Sequence, residues 1–170
     1  MSQTETTTAS LARMPNEARL WVFAAPRALS PAEETTLAAR VEAFISAWHA
    51  HGSSVVGDWS WEHERFLLIA ADEAATGVSG CSLDSLYDSL KALEREIGVT
   101  LLDAASRVWY RDDAGEIQSL IRPEFRQLVR SGILGPDTPV FDHTVASVGA
   151  LRGGEWERKM AESWHGKAFL

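Results

Sequence analysis

Past a polar start, the chain alternates short apolar runs with longer stretches that are apolar on one side only. "RLWVFAA" (residues 19–25) is apolar throughout and reads as a buried strand. "SPAEE" then opens a helix. Ser30 is placed to cap, Pro31 suits the first helical position, and Glu33 completes a capping box. Leu37, Val41, Phe44, Ile45 and Trp48 recur at helical spacing behind it, and Gly52 is the expected stop. "SSVVGDWSW" and "RFLLIAA" read as two strands of a hairpin turning at "EHE". Trp59 and Trp61 share a face of the first of them and are expected to pack rather than to stack on a ligand. Leu83, Leu86, Leu90, Leu93 and Ile97 make a second helical stripe ending at Gly98, and "RVWYRD" follows as a fourth strand.

The order β-α-β-β-α-β predicts an α+β fold of ferredoxin-like type, with two helices on one face of a four-stranded antiparallel sheet. Three segments follow: a disordered tail over residues 1–18, the ferredoxin-like unit over 19–112, and an appendage over 113–170 packed against it. Within the appendage a turn at Ala114-Gly115 leads to a strand, and Pro123 opens a short helix with Phe125, Leu128 and Val129 inward. "GPDTPVFD" then leads into another strand, a succession similar to part of GYF-like modules. The closing stretch carries Trp156, Trp164 and Phe169 and is expected to fold back onto the body, because a free tail rarely spends three aromatics.

Composition narrows the function classes. The 170 residues carry a net charge of −8, which argues against broad nucleic-acid or anionic-membrane partners. No apolar run reaches bilayer length, and the first residues hold no secretory core, so the expectation is a cytoplasmic protein without a membrane partner. One cysteine cannot close an internal disulfide. The sequence has no phosphate-binding Gly-x-x-x-x-Gly-Lys-Ser/Thr loop, no Gly-x-Ser-x-Gly elbow and no metal-ligand spacing, so neither cofactor nor metal is expected.

The chemistry that can be read lies around the single cysteine. In the expected topology the end of the first helix, the end of the third strand and the start of the second helix meet at one sheet edge. That edge would collect His49, His51, Asp72, Glu73 and Cys81, with Tyr110 and Arg111 arriving from the fourth strand. A thiol at a helix start, an imidazole to take its proton and an acid to orient the imidazole are the residue types of thiol catalysis, here Cys81, His51 and Asp72. Glu73, Ser79, Gly80 and Ser82 would complete a ligand pocket with Tyr110 and Arg111, and the loop from Asp72 to Gly80 would form one wall. The bland alternative is a partly buried Cys81 acting as a small apolar group, with Ser79 or Ser82 as a cap. His63 falls at the opposite edge.

"WHAHG", "FLLIAADE", "SGCSLD", "VFD" and "SWH" occur in that order over nearly the whole chain after the tail. They resemble a family of small bacterial proteins, common in Bacteroidetes and relatives, that carries the label "ABC transporter ATPase". The resemblance implies shared marks at His51-Gly52, Asp72, Cys81, Asp84 and the Trp164-His165 pair, and brings no established activity with it. The label itself does not suit this chain, which lacks the phosphate-cradling loop and the length of such an ATPase. Two functions remain in competition. One is a binding or adaptor protein for a small molecule or a protein, using a pocket between sheet edge and appendage. The other is a thiol-dependent enzyme or sensor centred on Cys81.

Overall fold

The structure is a computed structural model that describes residues 11–50, 52–74 and 77–170. Strand β1 (Arg19–Ala24) leads into helix α1 (Pro31–Ala47), which begins with the expected capping box. The Ser30 hydroxyl accepts from the Glu33 N–H at 3.2 Å, and the Glu33 carboxylate accepts from the Ser30 N–H at 2.8 Å. The helix ends before Gly52, because Trp48 turns to extended backbone and drives its indole into the core. There the indole N–H donates to the Ser82 carbonyl at 2.9 Å. Gly57 has no Cβ for the same reason: one built there would lie 3.2 Å from the Trp48 ring.

A small ladder of β2 (His49–Ala50) and β3 (Ser53–Ser54) precedes the hairpin of β4 (Gly57–Glu62) and β5 (Phe66–Ala71). The hairpin turn holds His63 and Glu64 at positive φ, 50° and 59°. Helix α2 (Gly80–Ile97) ends on Gly98 in the left-handed region, where a side chain would be strained. The first sheet has the order β1-β5-β4, entirely antiparallel.

The chain is therefore mixed α+β, with one departure from expectation at the fourth strand. Strand β6 (Arg107–Arg111) does not join the first sheet. It lies inside a second one, ordered β7-β6-β8-β9, with β7 (Ile117–Ile121), β8 (Pro139–Phe141) and β9 (Glu157–Lys159). Two causes are visible. The outer edge of β1 is taken, since the Leu20 N–H donates to Ala146 and the Ala24 N–H to Leu101. The turn at Asp112–Gly115 also brings β7 directly onto β6, so the boundary expected after Asp112 falls within a paired hairpin.

The two sheets pack face to face with helices outside. Leu67, Ile69 and Ala71 of β5 face α1 and α2. Phe66, Leu68 and Ala70 face the second sheet, where Trp109 and Phe141 meet them. The far side of the second sheet, with Val108, Tyr110 and Val140, is covered by α3 (Arg122–Arg130) and α5 (Trp164–Phe169). A short α4 (Val148–Arg152) sits between β8 and β9.

The tail expectation fails over residues 11–18. Leu11, Met14 and Ala18 are buried in the inter-sheet core, and Arg152 donates to the carbonyls of Leu11 and Met14. Residues 1–10 lie outside the described residues. The closing stretch docks as expected, with Trp156 and Phe169 buried. Trp59 and Trp61 pack, half-buried, against the helical core. Among the described residues no helix is long and apolar enough to cross a membrane.

Candidate functional site

Among the described residues no hydrogen bond links Cys81 to Asp72 or Glu73, each of which has its own partner. Cys81 is exposed, not partly buried. Its neighbours are occupied in starting the helix: the Ser79 hydroxyl accepts from the Ser82 N–H, and the Ser82 hydroxyl donates back to the Ser79 carbonyl. A Cβ at Gly80 would meet nothing, so no close approach requires glycine there. The Asp72 carboxylate accepts from the Ala74 N–H in a local turn, and Glu73 pairs with Arg19 at 3.3 Å. Asp84 is exposed on α2. His51, Ala75 and Thr76 lie outside the described residues, so the His51 assignment and the middle of the expected pocket wall do too.

Tyr110 and Arg111 follow β6 away from this edge. Tyr110 is buried against Phe125, ring centroids 5.5 Å apart. Arg111 pairs with Glu157 and shares an open polar groove with His63, at the end of the hairpin opposite Asp72. An exposed thiol makes a direct prediction. Iodoacetamide should label Cys81 in native protein at close to the rate seen in denaturant. Protection by a large factor would show that the helix start is covered.

A better-formed site lies where the two sheets and α5 meet. A cavity of about 270 Å³ is walled by Val22, Trp109, Phe141 and Trp164, with Ala104 and Ala105 at its rim. Arg107, Arg122, His143, Thr144 and His165 supply its polar groups. The β6–β7 register sets Arg107 opposite Ile121, which brings Arg122, the next residue, alongside. Arg107 Nη1 donates to the Ser119 hydroxyl at 3.0 Å, and the Arg122 guanidinium lies 5.0 Å from the centre of the Trp164 ring.

The two histidines are held by different partners. The Trp156 indole N–H, which can only donate, points at His143 Nδ1 at 3.3 Å. The proton of a neutral His143 therefore sits on Nε2, which, like Trp61 Nε1 and Arg158 Nε, is buried without a hydrogen-bond partner among the described residues. Burial, and next the nearby His165, push the His143 pKa down to about 3, against the opposing pull of Asp142. His165, 2% exposed, is stacked on Trp164 at 4.0 Å and has its Nδ1 2.9 Å from the Ser163 hydroxyl. That hydroxyl also lies 3.1 Å from the Met160 carbonyl and accepts from the His165 backbone N–H at 3.2 Å. Burial also brings His165 down to about 4, with Asp142 opposing and Arg122 and Arg158 adding to the fall.

Asp142 anchors this corner. Burial alone would raise its carboxyl, but hydrogen bonds from Thr144 and Arg158 outweigh that and hold it below its ordinary value. Arg158 Nη2 lies 2.8 Å from its Oδ2. Of the residues flagged in the sequence, then, Trp164 and His165 do line a pocket, without Cys81. Arg107, Trp109, Arg122 and His143 were missed. The available signal was "FDHT", an acid and an imidazole directly after an apolar strand.

Among the described residues no group of three or more acids, histidines or cysteines could hold a metal ion. Fold and cavity define an α+β protein with a cleft of small-molecule size between two sheets. Compared with known protein families, curated proteins and solved structures, the chain matches none.

Proposed function

We propose that this protein binds a small molecule in the cavity between its two sheets, as a cytoplasmic binding protein rather than a nucleotide hydrolase. The observation that carries the reading is the lining itself: Trp109, Phe141 and Trp164 wall a cavity of about 270 Å³, and Arg107 and Arg122 supply charge to it. Concave sites with apolar walls and a few convergent polar groups are where small molecules bind. The open groove beside Arg111 is a weaker candidate, because it is polar and shallow.

Within this reading the first sheet and its helices are an opened ferredoxin-like unit. Supporting this, β1, α1 and β4 leave a gap that β5 fills antiparallel. The run from β6 to β8 is its GYF-like companion, and the family resemblance noted above adds shared marks at Trp164-His165. The competing reading, thiol chemistry at Cys81, has that residue's exposure in its favour. Against it, no hydrogen bond from the described residues reaches the sulfur.

The test is retention. Protein equilibrated with a deproteinised cell extract, washed and denatured should release one class of compound detectable by mass spectrometry. Ala104→Trp, which fills the cavity from its rim, should release none of it. Equal release from both proteins, or none from either, would overturn the proposal.

A further inference from the structure

We infer that the ligand is a small aromatic carboxylic acid, its carboxylate held by Arg107 and Arg122 and its ring enclosed by Trp109, Phe141 and Trp164. This rests on the reading of the cavity as a ligand site. Charge is the first argument. The chain carries 24 acidic against 16 basic side chains, yet the residues lining this cavity include two arginines and no acid. Two carboxylates next in sequence to lining residues are already engaged. Asp142 is paired with Arg158, and Asp103, beside Ala104, accepts from the Ser106 hydroxyl. Arg122 makes no ion pair among the described residues, and Arg107 spends one nitrogen on Ser119. A guanidinium presents planar paired donors, and a carboxylate presents the matching planar acceptors.

Shape is the second argument. Three aromatic rings form walls, which suit a flat apolar body. At about 30 Å³ for each water displaced, a cavity of about 270 Å³ has room for a ring or two and a carboxylate. Paired guanidiniums also match a phosphoryl group, so phenyl phosphate is the competing probe. His143 and His165 also line the cavity, and as neutral rings they add polarity without charge.

Calorimetry and tryptophan fluorescence with defined probes test this at neutral pH. Benzoate or 2-naphthoate should quench saturably and bind at least tenfold tighter than the matching amide. Arg122→Gln and Arg107→Gln should each weaken the acid by about tenfold, roughly 1.4 kcal/mol, and weaken the amide by much less. Equal affinity for acid and amide, or no effect of either substitution, would overturn the acid assignment. Phenyl phosphate binding tenfold tighter than benzoate would replace carboxylate by phosphoryl and also overturn it. If neither acid binds while the extract experiment returns a compound, only the ligand class falls. If the extract experiment also returns nothing, the cavity reading falls with it.

Discussion

Phe66→Ala should cost the protein about 3–5 kcal/mol, the range for emptying a buried aromatic site. Phe66 is fully buried at the centre of the inter-sheet core. Its ring lies 4.8 Å from Phe141, 5.1 Å from Trp156 and 5.4 Å from His143, centroid to centroid, with Trp109 at 6.4 Å. These partners come from β6, β8 and the approach to β9, so one truncation loosens every strand that meets the first sheet there. Small domains have only about 5–15 kcal/mol of stability in all, so the loss would be a large share of it. Urea denaturation checks the value through the shift in midpoint at constant slope. A loss below about 1 kcal/mol would mean that the two sheets do not pack as described.

Acidification should destabilise the fold in the range of histidine titration, before the carboxylates are reached. His143 and His165 have folded pKa values of about 3 and about 4, against an ordinary 6.5. Each is held neutral in the folded protein, whereas the unfolded chain binds protons once the pH drops below about 6.5. The stability they allow is therefore complete above that value and falls as pH drops toward 4. The slope is at most about 1.4 kcal/mol per pH unit per histidine. His63, lowered by burial and by Arg111, acts in the same direction. Glu62 acts oppositely: burial raises its pKa, so protonation in the folded state offsets part of the loss. Asp142, held low, adds its own loss only at more acid pH, below the ordinary carboxylate value. Denaturation midpoints should thus fall between pH 6.5 and 4, and His143→Gln should flatten that fall. A midpoint constant across this window would contradict the neutral state of both rings in the fold.

The elements were legible wherever local chemistry determines them. The Ser30–Glu33 box, the unbroken apolar run of β5 and the stop at Gly98 are all short-range signals, and each element lies where the pattern sets it. The destination of β6 was not legible. Val108 and Tyr110 form one apolar face and Trp109 the other, so the strand could have entered either sheet. The choice was made at a distance, by Ala146 and Leu101 closing the edge of β1. The early end of α1 was hidden for a related reason, since the ring of Trp48 is drawn off the helical face by Ser82. The cavity followed the same logic. Trp164 and His165 were flagged, but Arg107, Arg122 and His143 join them only once β6 sits between β7 and β8. A cysteine beside acids in one loop drew attention because its neighbours were near in sequence, and the structure spends those neighbours on turns and caps.

The two-sided burial of β5 also governs how the chain can be taken apart. One face is sealed by α1 and α2, the other by strands that arrive much later. A piece cut at the Asp112–Gly115 turn would leave Phe66, Leu68 and Ala70 open to water and strip β6 of both its neighbours. The complementary piece would lose the middle of its own sheet. The halves interlock like clasped hands, so neither is a portable module to be expressed or fused alone.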